Sequence, residues 1–297
     1  MSTPTAQAPA ARAERLSKSY GDGPTRVTAL DQVSLEIGSR SFTAIMGPSG
    51  SGKSTLMHCM AGLDRADDGK AWIGDAEITV LPERRLTQLR RDHVGFVFQA
   101  YNLLPALTAA DNITLPLDIA GRSADPAWLN TVVATVGLAA RLKHRPAELS
   151  GGQQQRVAIA RALAGRPEII FADEPTGNLD SRAGAEVLDL LRRCVREFGQ
   201  TVVMVTHDPV AACYADRVVF LADGQIAGQL TQPSPQAVLD QMATLDAAYG
   251  PVTEEPGRRP PGGSGGSLPR ARNSLGSEGR CGAPYSQACA VTGSGWP

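Results

Sequence analysis

Several groups of residues in this chain have types and spacings that could do phosphate chemistry. The first is Gly47-Pro48-Ser49-Gly50-Ser51-Gly52-Lys53-Ser54-Thr55, which fits the pattern Gly-x-x-x-x-Gly-Lys-Ser. Its glycines let successive backbone N–H groups turn inward, and a following helix adds the positive end of its dipole, so the stretch can cradle an anionic phosphate. In this spacing Lys53 reaches the β- and γ-phosphates of a nucleotide and Ser54 places its hydroxyl on Mg²⁺. The bland alternative is a Gly/Ser loop with no chemical task. The second group, Leu149-Ser150-Gly151-Gly152-Gln153, is another Gly-containing turn ahead of a helical run, again an anion-binding shape. The third is the carboxylate pair Asp173-Glu174 at the end of an apolar run, with Thr206-His207-Asp208 closing the next one. A solvated strand end is the alternative for the carboxylates, and an ordinary strand-end histidine for His207. Tyr20, near a strand end, could stack on adenine or serve only in packing.

The elements that must hold these residues can be read from the pattern. Ser41 to Met46 is a short buried strand before the first Gly-rich turn, and Leu56 to Leu63 continues as a helix. Leu16–Tyr20 and Val33–Ile37 alternate apolar and polar residues about a Gly/Pro turn and read as antiparallel strands. Lys70 to Ile73 and Val94 to Phe98 read as strands, with Gln99 at the end of the latter, and Val80 to Arg91 as a helix with proline near its start. From about 100 to 165 the pattern turns helical, with Asp125-Pro126 as a helix start. Ile169 to Asp173 and Thr201 to Thr206 are apolar throughout, as strands buried on both faces of a parallel sheet are, and ligands sit at the carboxyl ends of such strands. Between them lies an amphipathic helix over about 181 to 198; a hairpin across Asp223-Gly224 and a last helix to about Ala248 follow.

The expected fold class is therefore α/β: a P-loop NTPase core, with a mixed sheet flanked by helices, N-terminal antiparallel strands and a helical subdomain insert. The expected boundaries are a flexible leader over 1–13, one domain over 14–249 with its helical part at about 100–165, and a disordered tail over 250–297, rich in Gly, Pro, Ser and Arg. With 297 residues, 42% of them hydrophobic, the chain can bury a substantial core. A net charge of −1 gives no overall reason to expect nucleic acid as a partner. Five cysteines with no Cys-x-x-Cys pair indicate neither a disulfide framework nor a zinc site and suit a reducing cytosol. No apolar run approaches the ~20 residues that span a bilayer.

Taken in chain order, the first Gly-rich turn, Gln99, Leu149-Ser-Gly-Gly-Gln153, Asp173-Glu174, Asn178-Leu179-Asp180 and Thr206-His207-Asp208 resemble the ATP-binding cassette (ABC) ATPases over about residues 14–230. The resemblance implies an ATPase with ATP and Mg²⁺ as its ligands. Residues 47–55 and Tyr20 would hold the nucleotide; Ser54, Gln99 and Asp173 would hold the metal. Glu174 would act as general base on water, with Lys53, Gln99 and His207, the switch histidine at the γ-phosphate, completing the catalytic set. Ser150, Gly152, Gln153 and Asp180 would meet the nucleotide of a second copy, making a head-to-tail homodimer with ATP between the chains. His58, His93 and His144 carry no such context and read as structural or surface residues.

Val94 to Leu117, with Pro175-Thr-Gly-Asn-Leu-Asp180, is similar to the subgroup that serves lipoprotein-release, macrolide-export and antimicrobial-peptide-export permeases. That implies a cytoplasmic ATPase, peripheral on the inner face of the membrane through a separate integral permease and working in export or extrusion. Cell-division ABC ATPases share much of this wording and are the alternative. A DNA-repair ABC ATPase does not fit, because no heptad run separates Lys53 from Ser150; a translation factor would carry two cassettes. The expected permease contact is the stretch Gln99 to Leu107, where Tyr101, Leu103 and Leu104 read as an exposed cluster, the alternative being that they pack inside the insert.

Overall fold

A computed structural model describes residues 8–249. In chain order the elements are β1 (Ala11–Tyr20), β2 (Val27–Ile37), β3 (Phe42–Met46), α1 (Lys53–Met60), β4 (Asp68–Ile73), β5 (Ala76–Glu77), α2 (Glu83–His93), β6 (Val94–Phe98), α3 (Ala109–Ile119), α4 (Pro126–Val136), α5 (Gly151–Ala164), β7 (Ile169–Asp173), α6 (Ser181–Phe198), β8 (Thr201–Val205), α7 (Pro209–Ala212), β9 (Arg217–Ala222), β10 (Gln225–Thr231) and α8 (Pro235–Tyr249).

Two sheets carry the strands. An antiparallel sheet has the order β2-β1-β4-β5, and a mixed sheet has the order β10-β9-β3-β8-β7-β6 with all but the β9–β10 pair parallel. The apolar runs explain the parallel part. In β7, Ile170 and Ala172 face one core while Ile169 and Phe171 face another; β8 divides its residues in the same way. Such a strand is covered on both sides, which is why it shows no polar alternation. Phe171 is wholly buried between the layers, and truncating it to alanine should cost about 3–5 kcal/mol.

The two cores place the helices. Residues of α3, α4, α5 and α6 join the cluster that contains Phe42, Ala44 and Met46 of β3, whereas those of α1 and α2 join the cluster containing Ile45 and the antiparallel sheet. The helices of the 100–165 segment thus pack on one face of the mixed sheet, and the helix after the first Gly-rich turn packs on the other.

Two boundaries differ from expectation. The flexible leader was expected to run to residue 13, yet β1 starts at Ala11, and Ala10 already donates its N–H to the Ile37 oxygen (2.8 Å). The reason is that Ala11 and Ala13 are small residues alternating into the core, while Arg12 lies 4.0 Å over the Trp72 ring; a loose composition concealed a strand. Helix α2 starts at Glu83 because Pro82 is its N-cap in extended geometry. The expectation of a disordered tail over 250–297 lies outside the described residues, as do residues 1–7.

Candidate active site

Strands β3, β8, β7 and β6 are parallel neighbours, and their register sets Ile45 beside Val205, Val205 beside Asp173, and Asp173 beside Phe98. Whatever follows each strand therefore emerges on one edge of the sheet: the loop 47–52, then Thr206-His207, then Glu174, then Gln99. That is the edge at which parallel sheets bind ligands.

The loop after β3 is shaped by glycines that no other residue could replace. A Cβ at Gly47 would lie 1.9 Å from the Leu221 oxygen; at Gly52, whose φ is +95°, it would lie 2.1 Å from the Ala29 oxygen. Gly52 is also the N-cap of α1 and offers no side-chain cap, so the leading amides of that helix are left for a ligand. Lys53 curls back over the loop, its Nζ donating to Gly47 O (3.0 Å) and Pro48 O (2.7 Å). Burial lowers its ammonium pKa, and the charges of Glu174 and Asp173 oppose that shift. Ser49, Gly50, Ser51 and Pro48 complete the turn, with Ser51 N bonded to Pro48 O.

The acidic groups stand beside this cradle. Ser54 donates its hydroxyl to Asp173 Oδ1 (3.3 Å), and His58 Nε2 lies 3.8 Å from Asp173 Oδ2. Glu174 Oε1 meets His207 Nδ1 at 2.8 Å; the histidine side chain is 73% exposed and the glutamate 19%. Glu174 has φ +46°, a left-handed geometry that costs a bulky residue about 1–3 kcal/mol. It is held there by Glu174 N donating to Val205 O (2.9 Å) and Gly177 N donating to Glu174 O (3.0 Å). Buried Thr206 ties β8 to β3 through Ile45 O and accepts from Asp208 N. Gln99 is bonded to Asn178, and Tyr20, a residue 45% exposed, donates to Asp64 Oδ2 (2.6 Å) with Lys18 Nζ 5.2 Å from its ring centre. The Ser54 hydroxyl and the Asp173 carboxylate stand together, and Gln99 follows the neighbouring strand end; the donors these three residues offer are all oxygen. Such a set suits Mg²⁺, which keeps several waters and is completed by substrate phosphates.

The turn before α5 is not part of this assembly. Ser150 Oγ accepts from Gln153 N (3.3 Å) and Gln153 Oε1 accepts from Ser150 N (3.0 Å), a closed capping box. Gly151 packs against Tyr101 and Leu179, and Gly152 against Ala183. Helix α5 lies on the opposite face from α1 and packs on β6, which is three strands from β3, roughly 14 Å at ordinary strand spacing. Asp180 caps α6, its Oδ1 accepting from Ala183 N (2.9 Å). Among the described residues no hydrogen bond joins Ser150, Gly152 or Gln153 to the phosphate cradle of the same chain.

Two residues at the site had no role in the sequence reading. His58 lies four positions after Ser54 on α1, hence on the same helix face; that spacing was a usable signal. Asn178 reaches Gln99 across 79 positions of chain, and no local pattern carries such a contact. Of the three residues expected as an exposed cluster, Tyr101 and Leu103 are half-buried and Leu104 alone is exposed. A groove of about 410 Å³ runs between α2, β6, α3 and α5, with Phe96, Phe98, Pro116 and Arg161 among its lining residues; of this stretch, Asn102 lines it.

Among the described residues no helix is long and apolar enough to cross a membrane. The sequence model of the family described as ABC transporter matches residues 30–177. The chain is 46% identical over 213 residues to the lipoprotein-releasing system ATP-binding protein LolD of Geobacter metallireducens, covering 71% of this chain and 95% of that protein. It is 44% identical over 246 residues to the macrolide export ATP-binding/permease protein MacB of Marinobacter nauticus, covering 82% of this chain but only 36% of that relative's length. Among solved structures it is similar to the ATP-binding cassette MJ0796, solved as a dimer in a post-hydrolysis state bound to ADP and Pi, with a TM-score of 0.68 at 40% identity over 75% of this chain and 99% of that one.

Proposed function

This chain belongs to the ABC transporter family of ATPases, and from that premise we propose that two copies sandwich MgATP to drive export through a separate integral membrane permease. The observation that supports this most directly is that the helices opened by the two anion-binding turns lie on opposite faces of the sheet. Each chain carries a phosphate cradle and a second Gly-rich turn that is not bonded to it. A head-to-tail pair brings the second turn of one chain to the cradle of the other, so that both sites are complete.

In this reading the amides of residues 49–55 and Lys53 hold the phosphates, giving up the bonds from Lys53 to Gly47 O and Pro48 O. Ser54, Asp173 and Gln99 would hold Mg²⁺, which would supply neutralisation of the phosphate charge. Glu174 is aimed by its left-handed backbone and by His207, and it takes a proton from the attacking water. His207, largely exposed, is free to turn to the γ-phosphate. Ser150 and the amides of Gly151 and Gly152 meet the partner chain's nucleotide, and Tyr20 supplies a face for adenine.

A short cytosolic helix of the permease docks on the stretch Gln99 to Leu107 and the groove that its Asn102 lines, which places the ATPase on the inner face of the membrane. The likeness to LolD and MacB supports export of a lipoprotein-like, peptide or hydrophobic substrate.

The test uses two proteins. Glu174→Gln should bind MgATP without hydrolysing it and collect as an ATP-dependent dimer in light scattering. Glu174→Gln with Ser150→Arg should bind a fluorescent ATP equally well and stay monomeric. Dimerisation of the double variant, or loss of its nucleotide binding, would refute the shared site.

A further inference from the structure

Asn178 lies in the turn between β7 and α6, and the scheme above gives it no task. Its carboxamide is committed to Gln99: Nδ2 donates to the Gln99 backbone oxygen (3.0 Å), and Oδ1 accepts from Gln99 Nε2 (3.2 Å). The directions of these two bonds fix one another. A backbone carbonyl can only accept, so the end of Asn178 that faces it must be the NH₂ group, and the remaining oxygen must then take a donor. Gln99 accordingly turns its own NH₂ toward Asn178. Its carbonyl oxygen is left on the other branch of the carboxamide, and among the described residues nothing is hydrogen-bonded to it.

That oxygen is the atom a hard divalent cation takes; an amide NH₂ cannot ligate it. We propose that Asn178 is a positioning residue that sorts the two ends of the Gln99 carboxamide, so that oxygen and not nitrogen is presented to the metal. The inference rests on the assignment of Gln99 to the metal made above. The surroundings keep the pair together. Tyr101 donates its hydroxyl to Asn178 O (3.3 Å). Tyr101 and Asn102 both hold positive φ, and the Arg161 guanidinium donates to their two carbonyls. The backbone at Gly177 comes so close that a Cβ there would lie 2.7 Å from Gln99 Nε2. A flipped Gln99 would set its oxygen against Asn178 Oδ1, two acceptors with no proton between them.

The role can be measured without turnover. The readout is the Mg²⁺ gain: the ratio of the dissociation constants of a fluorescent ATP analogue without and with Mg²⁺. Gln99→Ala should lose most of this gain, Asn178→Ala should lose it by about tenfold, as removal of an outer-shell partner does, and the double variant should lose no more than Gln99→Ala. Affinity without Mg²⁺ should match wild type in Asn178→Ala, which also reports that the cradle is folded. A wild-type Mg²⁺ gain in Asn178→Ala beside a lost one in Gln99→Ala would overturn the inference, as would strictly additive losses in the double variant. An unchanged gain in Gln99→Ala would overturn the metal assignment instead, a separate failure.

Discussion

The two Gly-rich turns of this chain both open helices, and they are finished in opposite ways. Before α1 the cap is Gly52, with no side chain to bond the leading amides and with Lys53 folded onto the loop's own carbonyls. Before α5 the cap is Ser150, closed reciprocally with Gln153. Every helix start carries amides that need an acceptor. In the first turn the acceptor is reserved for the ligand; in the second it is built into the chain. The difference teaches that a phosphate site is recognisable by what its helix lacks. The second turn is closed without a ligand and presents a finished surface, as the shared site proposed above requires.

The strongest way to break this comparison is Lys53→Ala. Removing the cation folded over the cradle should lower ATP turnover roughly 10²–10³-fold, the range for loss of a preorganised charge-stabilising donor. Stability should move by no more than about 1 kcal/mol, because water can take over the two freed carbonyls. Turnover near wild type would show that the cradle does not act on phosphate.

Ser150→Ala sharpens the contrast at a smaller scale. Opening the capping box should cost about 1 kcal/mol in urea denaturation of the nucleotide-free protein, with unchanged affinity of the chain for fluorescent ATP. An affinity that fell with it would mean that the second turn serves its own chain. Smallest in its effect on the isolated protein is Leu104→Asp. This exposed leucine should contribute within about 0.5 kcal/mol to stability, yet its charge should abolish stimulation of ATPase activity by the co-purified permease. Unchanged stimulation would remove the stretch around it as the docking site.

Much of the fold was legible because the parallel strands are covered on both sides: Ile169–Ala172 and Thr201–Val205 read as unbroken apolar runs and stand as adjacent strands. Caps were legible for the same local reason, and Asp125 does accept from Ala127 N and Trp128 N. What the sequence concealed was of two kinds. Ala11 and Ala13 belong to a run whose composition resembles a loose leader, since small residues give little hydrophobic signal even where they are fully buried. The Gln99–Asn178 pair and the approach of His58 to Asp173 depend on which strands become neighbours, and sheet order is not written at any one position. The left-handed backbone of Glu174 was also invisible, because no residue type at that position announces it.

The placement of α1 and α5 on opposite faces of the sheet has a kinetic consequence. With the shared site proposed above, a lone chain is half an enzyme, so in dilute solution the rate should rise with the square of protein concentration and specific activity should fall on dilution. Holding two copies on one membrane protein replaces that encounter by a local concentration on the order of millimolar. The permease would then do more than receive the work of hydrolysis: by confining the two chains, it would turn a collision-limited reaction into one whose velocity is simply proportional to the number of assembled transporters.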